Sequence, residues 1–160
     1  MAELWDVHDI NRNKTGRLHE RGKSDMVDGD FLLIVFVWIR NNKGEFLISK
    51  RADGRSRSGM WQTTMGCAIA GDDSLSAALR ETEEELGIVL NPKNGQLFKQ
   101  FTHGNLFDMW LFSHEADISE VVLQPDETCD AMWVSEKSLK QMISEGVFWG
   151  EWQPYFDELS

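Results

Sequence analysis

Nine consecutive apolar residues, FLLIVFVWI at 31–39, stand out along the chain. A run without polar alternation reads as a strand buried on both faces, and it is far too short to cross a bilayer. NNKG (41–44) then predicts a hairpin turn, and EFLISKR (45–51) predicts the returning strand. LWDVHD (4–9) predicts an earlier strand, followed by a polar turn at Asn11–Lys14. Residues 16–30 are charged and contain Gly, so an extended loop is expected there. ADGRSRSG (52–59) reads as a loop and MWQTTMG (60–66) as mixed, extended chain. GQLFKQFTHG (95–104) and LFDMWLFSHEAD (106–117) predict two strands about a tight turn at Gly104–Asn105, and AMWVS (131–135) a short third one. SLSAALRETEEEL (74–86) predicts a helix capped by Asp73 or Ser74. SEKSLKQMISEG (135–146) predicts a second, with Ser135 as cap and Gly146 as stop. The tail EWQPYFDELS is expected to be helical after Pro154. Interleaved strands and helices imply a mixed sheet between helices, an α/β (α+β) arrangement. One domain over residues 1–160 is the natural reading of the length, with 1–30 as an N-terminal extension.

The first helix carries a conflict. At about 100° per residue, Leu75, Leu79, Thr82 and Leu86 share one side, and Glu81, Glu84 and Glu85 gather on a neighbouring side. Glu81 and Glu85 are like charges at i,i+4, which repel. Carboxylates also crowd the last turn, where the helix dipole favours cations. Arg80 compensates Glu84, but the position four before Glu81 is Ala77. A solvated acidic face is the simple explanation. A bound divalent cation explains more, because clustered carboxylates are the hard oxygen ligands that Mg²⁺ or Mn²⁺ takes.

Charge and composition narrow the function classes. With a net charge of −11, the chain lacks the surplus Lys and Arg needed to grip a long nucleic acid. At 41% hydrophobic and 11% aromatic residues, it has the material for a core. Cys67 and Cys129 have no C-x-x-C spacing, and His8, His19, His103 and His114 are scattered, so neither a zinc site nor a disulfide framework is expected. MAELWDVHDINRNK has no basic and apolar regions of a signal peptide, which makes a soluble cytoplasmic protein with no membrane partner the expectation.

The residues before the helix add a pattern. MGCAIAGDDS (65–74) is a small-residue loop in which Gly66 and Gly71 let the backbone approach something closely. Gly66 is followed after five residues by Asp72, then after seven more by Arg80-Glu81-Thr82-Glu83-Glu84-Glu85-Leu86-Gly87-Ile88. This spacing resembles the Nudix box, here residues 66–88. Asp72 stands where that box has Glu, Thr82 where it prefers an aliphatic residue, and Met65 where a Gly often precedes it. The resemblance implies the Nudix α/β/α sandwich with a mixed, partly curled sheet. It also implies Mg²⁺- or Mn²⁺-dependent cleavage of a diphosphate bond in a small molecule, such as a nucleoside di- or triphosphate or a nucleoside diphosphate derivative. Glu84 and Glu85 would lead in holding the metal, with the Met65 backbone carbonyl beside them. Glu81 would share the metal or deprotonate the attacking water, and Arg80 would hold the carboxylates in register. Asp72 would brace the loop, through Arg80. Nudix proteins often pair, so a homodimer is a further expectation.

Beyond the box, FLLIVFVWI, GEFLISKR, GMWQTTMG and VVLQPDETCDAMWVS resemble the Nudix subgroup similar to isopentenyl-diphosphate isomerase. That likeness supplies an alternative, isomerisation through Cys67. The thiol sits one place later than the isomerase pattern requires, and Leu32 stands where that pattern would show His, so Cys67 reads better as a small buried residue. A non-catalytic binding module is a third possibility, resting on Asp72 alone. Glu127, in the loop QPDETCD, is weighed as a further base or ligand against a solvated loop residue. Lys50 and Arg51 are candidate phosphate contacts at a strand end, and Arg55 and Arg57 lie in a basic loop that an incoming phosphate would meet. Trp61, Trp110 and Trp133 sit in strand-like runs and read as core rather than as base-stacking surfaces.

Overall fold

The computed structural model describes residues 2–149. The expected helix after Pro154 lies outside them.

The apolar run becomes β3 (Leu33–Arg40), and it is the strand around which the sheet is built. Its side chains alternate between two interiors, as the period of a strand dictates. Val37 and Ile39 pack with Leu47, Ala78 and Leu86 on one face. Trp38 packs with Phe46, Ile48, Leu139 and Ile143 on the other. Helix α1 (Ser74–Leu86) therefore covers one face and α2 (Glu136–Ser144) the opposite one. The result is an α/β/α sandwich, and the unbroken hydrophobicity of β3 is its cause.

β3 runs parallel to β8 (Asn105–Ser113), from Leu33↔Leu106 to Arg40↔Ser113. β8 turns back antiparallel into β7 (Gly95–His103). On its other edge β3 changes partners. Ile34–Val37 pair with β6 (Thr64–Cys67), while Arg40 pairs with Phe46 at the start of β4 (Phe46–Arg51). β4 continues to β5 (Trp61–Gln62) and β9 (Thr128–Val134). This exchange forks the mixed sheet and leaves it short of a closed barrel.

Both helices start at their predicted caps and α1 stops at its predicted glycine, while α2 ends at Ser144, with Glu145 as its cap and Gly146 just beyond. Asp73 caps α1 by accepting from the Ser76 N–H, in a reciprocal box with the Ser76 side chain. Gly87 ends α1 in the left-handed conformation and donates its N–H to the Glu83 carbonyl. Ser135 caps α2. Thr82 is fully buried on α1 because its hydroxyl donates to the Ala78 carbonyl at 2.9 Å. An internal partner makes a hydroxyl tolerable where an aliphatic residue was expected.

Three expectations are corrected. Residues 16–20, expected as loop, and Lys14, expected in a turn, belong to strand β2 (Lys14–Glu20), antiparallel to β1 (Leu4–His8). β2 buries His19 alone, so no apolar alternation announces it. β9 begins three residues before Ala131, and Asp130, which masks the strand signal, lies opposite Lys50 as a cross-strand partner of opposite sign. The second long strand ends at Ser113, and its polar continuation leads to a short 3-10 turn at Ile118–Glu120.

Since Trp38 fills the space between the sheet and α2, Trp38→Ala should cost about 3–5 kcal/mol in urea unfolding. Val89→Ala, at an exposed apolar position, should stay within about 0.5 kcal/mol. A Trp38→Ala loss below about 1 kcal/mol would contradict two-sided packing of β3.

Candidate active site

α1 lies across β6, and at their crossing the Glu81 side chain reaches the backbone at Gly66. A Cβ on Gly66 would overlap the carboxyl group of Glu81. A side chain at position 66 would have to move Glu81 aside, so glycine suits this position by proximity and not by its backbone angles. The docking divides the carboxylates that the helix wheel grouped. Glu81 and Glu85 are turned inward, 9% and 6% exposed, while the Glu84 side chain stays at the rim, 49% exposed.

Arg80 stands at the centre of this arrangement. Its Nε and Nη2 donate to one Asp72 oxygen at 3.1 and 2.9 Å. Its Nη1 donates to Glu81 and Glu84 at 3.1 and 3.2 Å, and Nη2 also reaches the Cys67 carbonyl at 3.2 Å. One guanidinium thus ties the helix to the loop before it and to β6. Asp72 also accepts from the Ile69 N–H at 3.1 Å, so the shorter side chain still braces the loop.

The inward carboxylates open into a cleft of about 420 Å³. Among the described residues its walls carry five glutamates, Glu3, Glu81, Glu84, Glu85 and Glu127, against two arginines, Arg21 and Arg55. Each arginine is already paired, Arg21 with Glu3 at 3.1 Å and Arg55 with Glu127 at 2.6 Å. Met65 and Cys67 line the same cleft. Burial pushes the Glu81 carboxyl up to about 7, with Arg80 opposing and Glu84 adding to the rise. Burial raises Glu85 well above the usual carboxylate range, and the charges of Glu81 and Glu127 raise it further.

These residues fit a hard divalent cation. Oε2 of Glu85 is buried with no hydrogen-bond partner among the described residues, a costly condition unless something positive meets it. The carboxylates are gathered but not preassembled. Among the described residues no three acidic, His or Cys side chains already converge as a ligand set, since Arg80 draws Glu81 and Glu84 to itself.

The other candidates fall elsewhere. Arg51 is buried and donates to the Ser56 carbonyl at 2.6 Å and to Gln62 at 3.1 Å. It holds the loop at 52–59 rather than lining the cleft. Lys50 lies over the Trp61 ring, 5.9 Å from its centroid. Trp61, Trp110 and Trp133 pack at the edges of the core. Glu3, Trp5 and Arg21 reach the cleft from the β1–β2 hairpin and were missed by sequence reasoning. Nothing in the spacing of residues 3–21 signals that they face Glu81.

The fold is shared with solved proteins. DR0079 from Deinococcus radiodurans superposes with a TM-score of 0.73 over 91% of each chain, at 17% identity. The MutT protein from Methanosarcina mazei Go1 gives 0.61, covering 83% of this chain and 95% of that one, at 24% identity. Identities this low carry the fold alone. Sequence carries the rest. Residues 30–150 match the NUDIX domain. The uncharacterized Nudix hydrolase lmo0368 of Listeria monocytogenes is 34% identical over 157 residues, 96% of this chain and 90% of that protein. Nudix hydrolase 3 of Arabidopsis thaliana is 30% identical over 160 residues, 89% of this chain and 20% of that longer protein. The chain belongs to the Nudix family and is a hydrolase of the Nudix type. The comparisons carry the family and not the narrower likeness to the isopentenyl-diphosphate isomerases.

A carboxyl that keeps its proton up to about 7 when folded, but loses it near 4.5 when unfolded, favours the native state at low pH. That contribution is whole below 4.5 and is lost as pH rises to about 7. In chelator, the melting temperature of the wild type should therefore fall more between about pH 5 and pH 8 than that of Glu81→Gln. Parallel curves for the two would show that Glu81 is not buried as described. Gly66→Ala should lower the melting temperature and metal affinity together, because the added methyl must push Glu81 aside. A variant that melts and binds Mn²⁺ like the wild type would refute the close crossing.

Proposed function

We propose that the chain hydrolyses the diphosphate bond of a small molecule, a nucleoside di- or triphosphate or a nucleoside diphosphate derivative, with a bound Mg²⁺ or Mn²⁺. The observation that carries this reading is the charge of the cleft: among the described residues it has two buried carboxylates, one with an unpartnered oxygen, and two arginines, both already paired. A diphosphate is itself anionic and would be repelled by such a wall. A divalent ion reconciles the two, and the diphosphate chemistry of the family supports it.

When bound, the ion neutralises the diphosphate and acidifies the attacking water. Glu84 and Glu85 would hold it, with Glu81 beside them and the Met65 carbonyl as a fourth oxygen. Glu81 takes the proton from the water. Arg80 keeps Glu81 and Glu84 aligned and acts through them. Asp72 fixes Arg80 and so has a positioning role.

Cys67 plays no chemical part in this reading. Burial pushes its thiol up to about 12, so a thiolate is scarce at neutral pH. This favours water chemistry over isomerisation through a thiol.

A nucleotide panel assayed with Mg²⁺ and with Mn²⁺, beside an isopentenyl-diphosphate isomerisation assay, tests the function. Metal-dependent hydrolysis is expected, and isomerisation without hydrolysis would overturn the reading. Glu81→Gln should lower turnover at least about a hundredfold with the fold intact, about 2.7 kcal/mol of transition-state stabilisation. Asp72→Asn should lower turnover less and the melting temperature more. Cys67→Ala should keep most activity. Strong loss in Cys67→Ala beside a mild effect in Glu81→Gln would invert these roles.

A further inference from the structure

We propose that Arg55 is the phosphate-binding side chain of the cleft, and that its ion pair with Glu127 holds both groups out of use until a phosphate displaces the carboxylate. The proposal rests on the diphosphate-hydrolase reading and adds a recognition residue and a coupling to it.

The loop at 52–59 is held by the strand end before it. Arg51 donates to the Ser56 carbonyl from within the protein, and the Gly59 N–H returns to the Arg51 carbonyl at 3.1 Å. These bonds shape the loop so that Arg55 turns into the cleft. There its Nη2 meets Glu127 at 2.6 Å, while the adjacent Nε is buried and has no partner among the described residues. Nε and Nη2 form one edge of the guanidinium, an edge suited to two acceptors at once. Glu127 satisfies half of it. A phosphate presents several oxygens in the matching geometry and satisfies both. Exchanging a one-pronged carboxylate for a two-pronged phosphate also removes a buried, unsatisfied N–H.

The displaced carboxylate cannot leave. The Ala52 N–H donates to the Glu127 carbonyl at 3.0 Å, and the Glu127 N–H donates to Gln124 at 3.0 Å. The next residue, Thr128, donates from its hydroxyl to the Glu85 carbonyl at 3.2 Å. A freed Glu127 therefore stays beside Glu85 and adds its charge to the cation site. Phosphate and divalent cation must then tighten each other, because coupling between two sites is reciprocal.

Calorimetry separates this exchange from a simple tether. Methylenediphosphonate is titrated in chelator, and Mn²⁺ is titrated alone. Arg55→Ala should weaken diphosphonate binding about tenfold or more and tighten Mn²⁺ several-fold, since Glu127 is released. Glu127→Gln should do the reverse, tightening diphosphonate and weakening Mn²⁺. Arg55→Lys keeps the charge but not the two-pronged edge, so it should restore only part of the diphosphonate binding. It also serves if Arg55→Ala does not fold. A tether would weaken both ligands together or neither. Diphosphonate affinity unchanged within about twofold in Arg55→Ala, Mn²⁺ weakened in it, or no diphosphonate binding by wild type and Glu127→Gln alike overturns the proposal. Hydrolysis is scored separately. A protein that cuts diphosphates without the opposed shifts loses the exchange alone, and one with the shifts but no hydrolysis loses the underlying reading.

Discussion

The contact between the Glu81 carboxyl and the backbone at Gly66 is the constraint on which the rest of the site depends. It carries a carboxylate off a helix surface, where water would solvate it, and into the seam between helix and sheet. Such burial is unfavourable unless the charge is met or the proton kept. The protein does both in part. Arg80 meets Glu81 from the same helix, one residue away, and is held in place by Asp72 across the loop. Glu85, a turn further on, has no such partner for its inner oxygen among the described residues, and burial raises its carboxyl well above the usual range. The helix thus stores a conflict that its own sequence cannot resolve, and the conflict faces the cleft.

The same contact explains why the fold was easier to read than the site. β3 announces itself by being apolar on both faces, and α1 by its cap, its Ala/Leu run and Gly87. Both signals are local. The division among the carboxylates is not. A wheel groups Glu81, Glu84 and Glu85 by angle alone, and only the position of β6 decides that the first and last turn inward while Glu84 stays at the rim. Arg51 is a second case. A strand-end arginine near an anion site reads as a phosphate contact, yet here the loop after it folds back and takes its donors. Strand β2 is a third, because it is held by backbone pairing to β1 and contributes a single buried side chain, His19, which lies beside Trp5 with ring centroids 5.7 Å apart.

The cleft is consequently built from two kinds of sequence. Glu81, Glu84, Glu85, Glu127 and Arg55 fall within residues 30–150, the part that matches the NUDIX domain. Glu3, Trp5 and Arg21 come from before it, on the β1–β2 hairpin. That hairpin is no loose appendage. His8 and Phe31 exchange backbone hydrogen bonds at 2.8 and 2.9 Å, and Arg12 reaches Asp108 on β8.

The hairpin is also bonded to the loop of the box itself. The Ala70 N–H donates to the Leu4 carbonyl at 2.8 Å, and the Gly71 N–H donates to the Asp6 carboxylate at 2.8 Å. Asp6 is held ionised for this by the Gly71 N–H and by Lys14, against the effect of burial. Residues 69–72 are therefore clamped from two sides, by the hairpin at Ala70 and Gly71 and by Arg80 at Asp72. The hairpin and Arg80 thus hold one loop between them, and Arg80 in turn bonds Glu81 and Glu84.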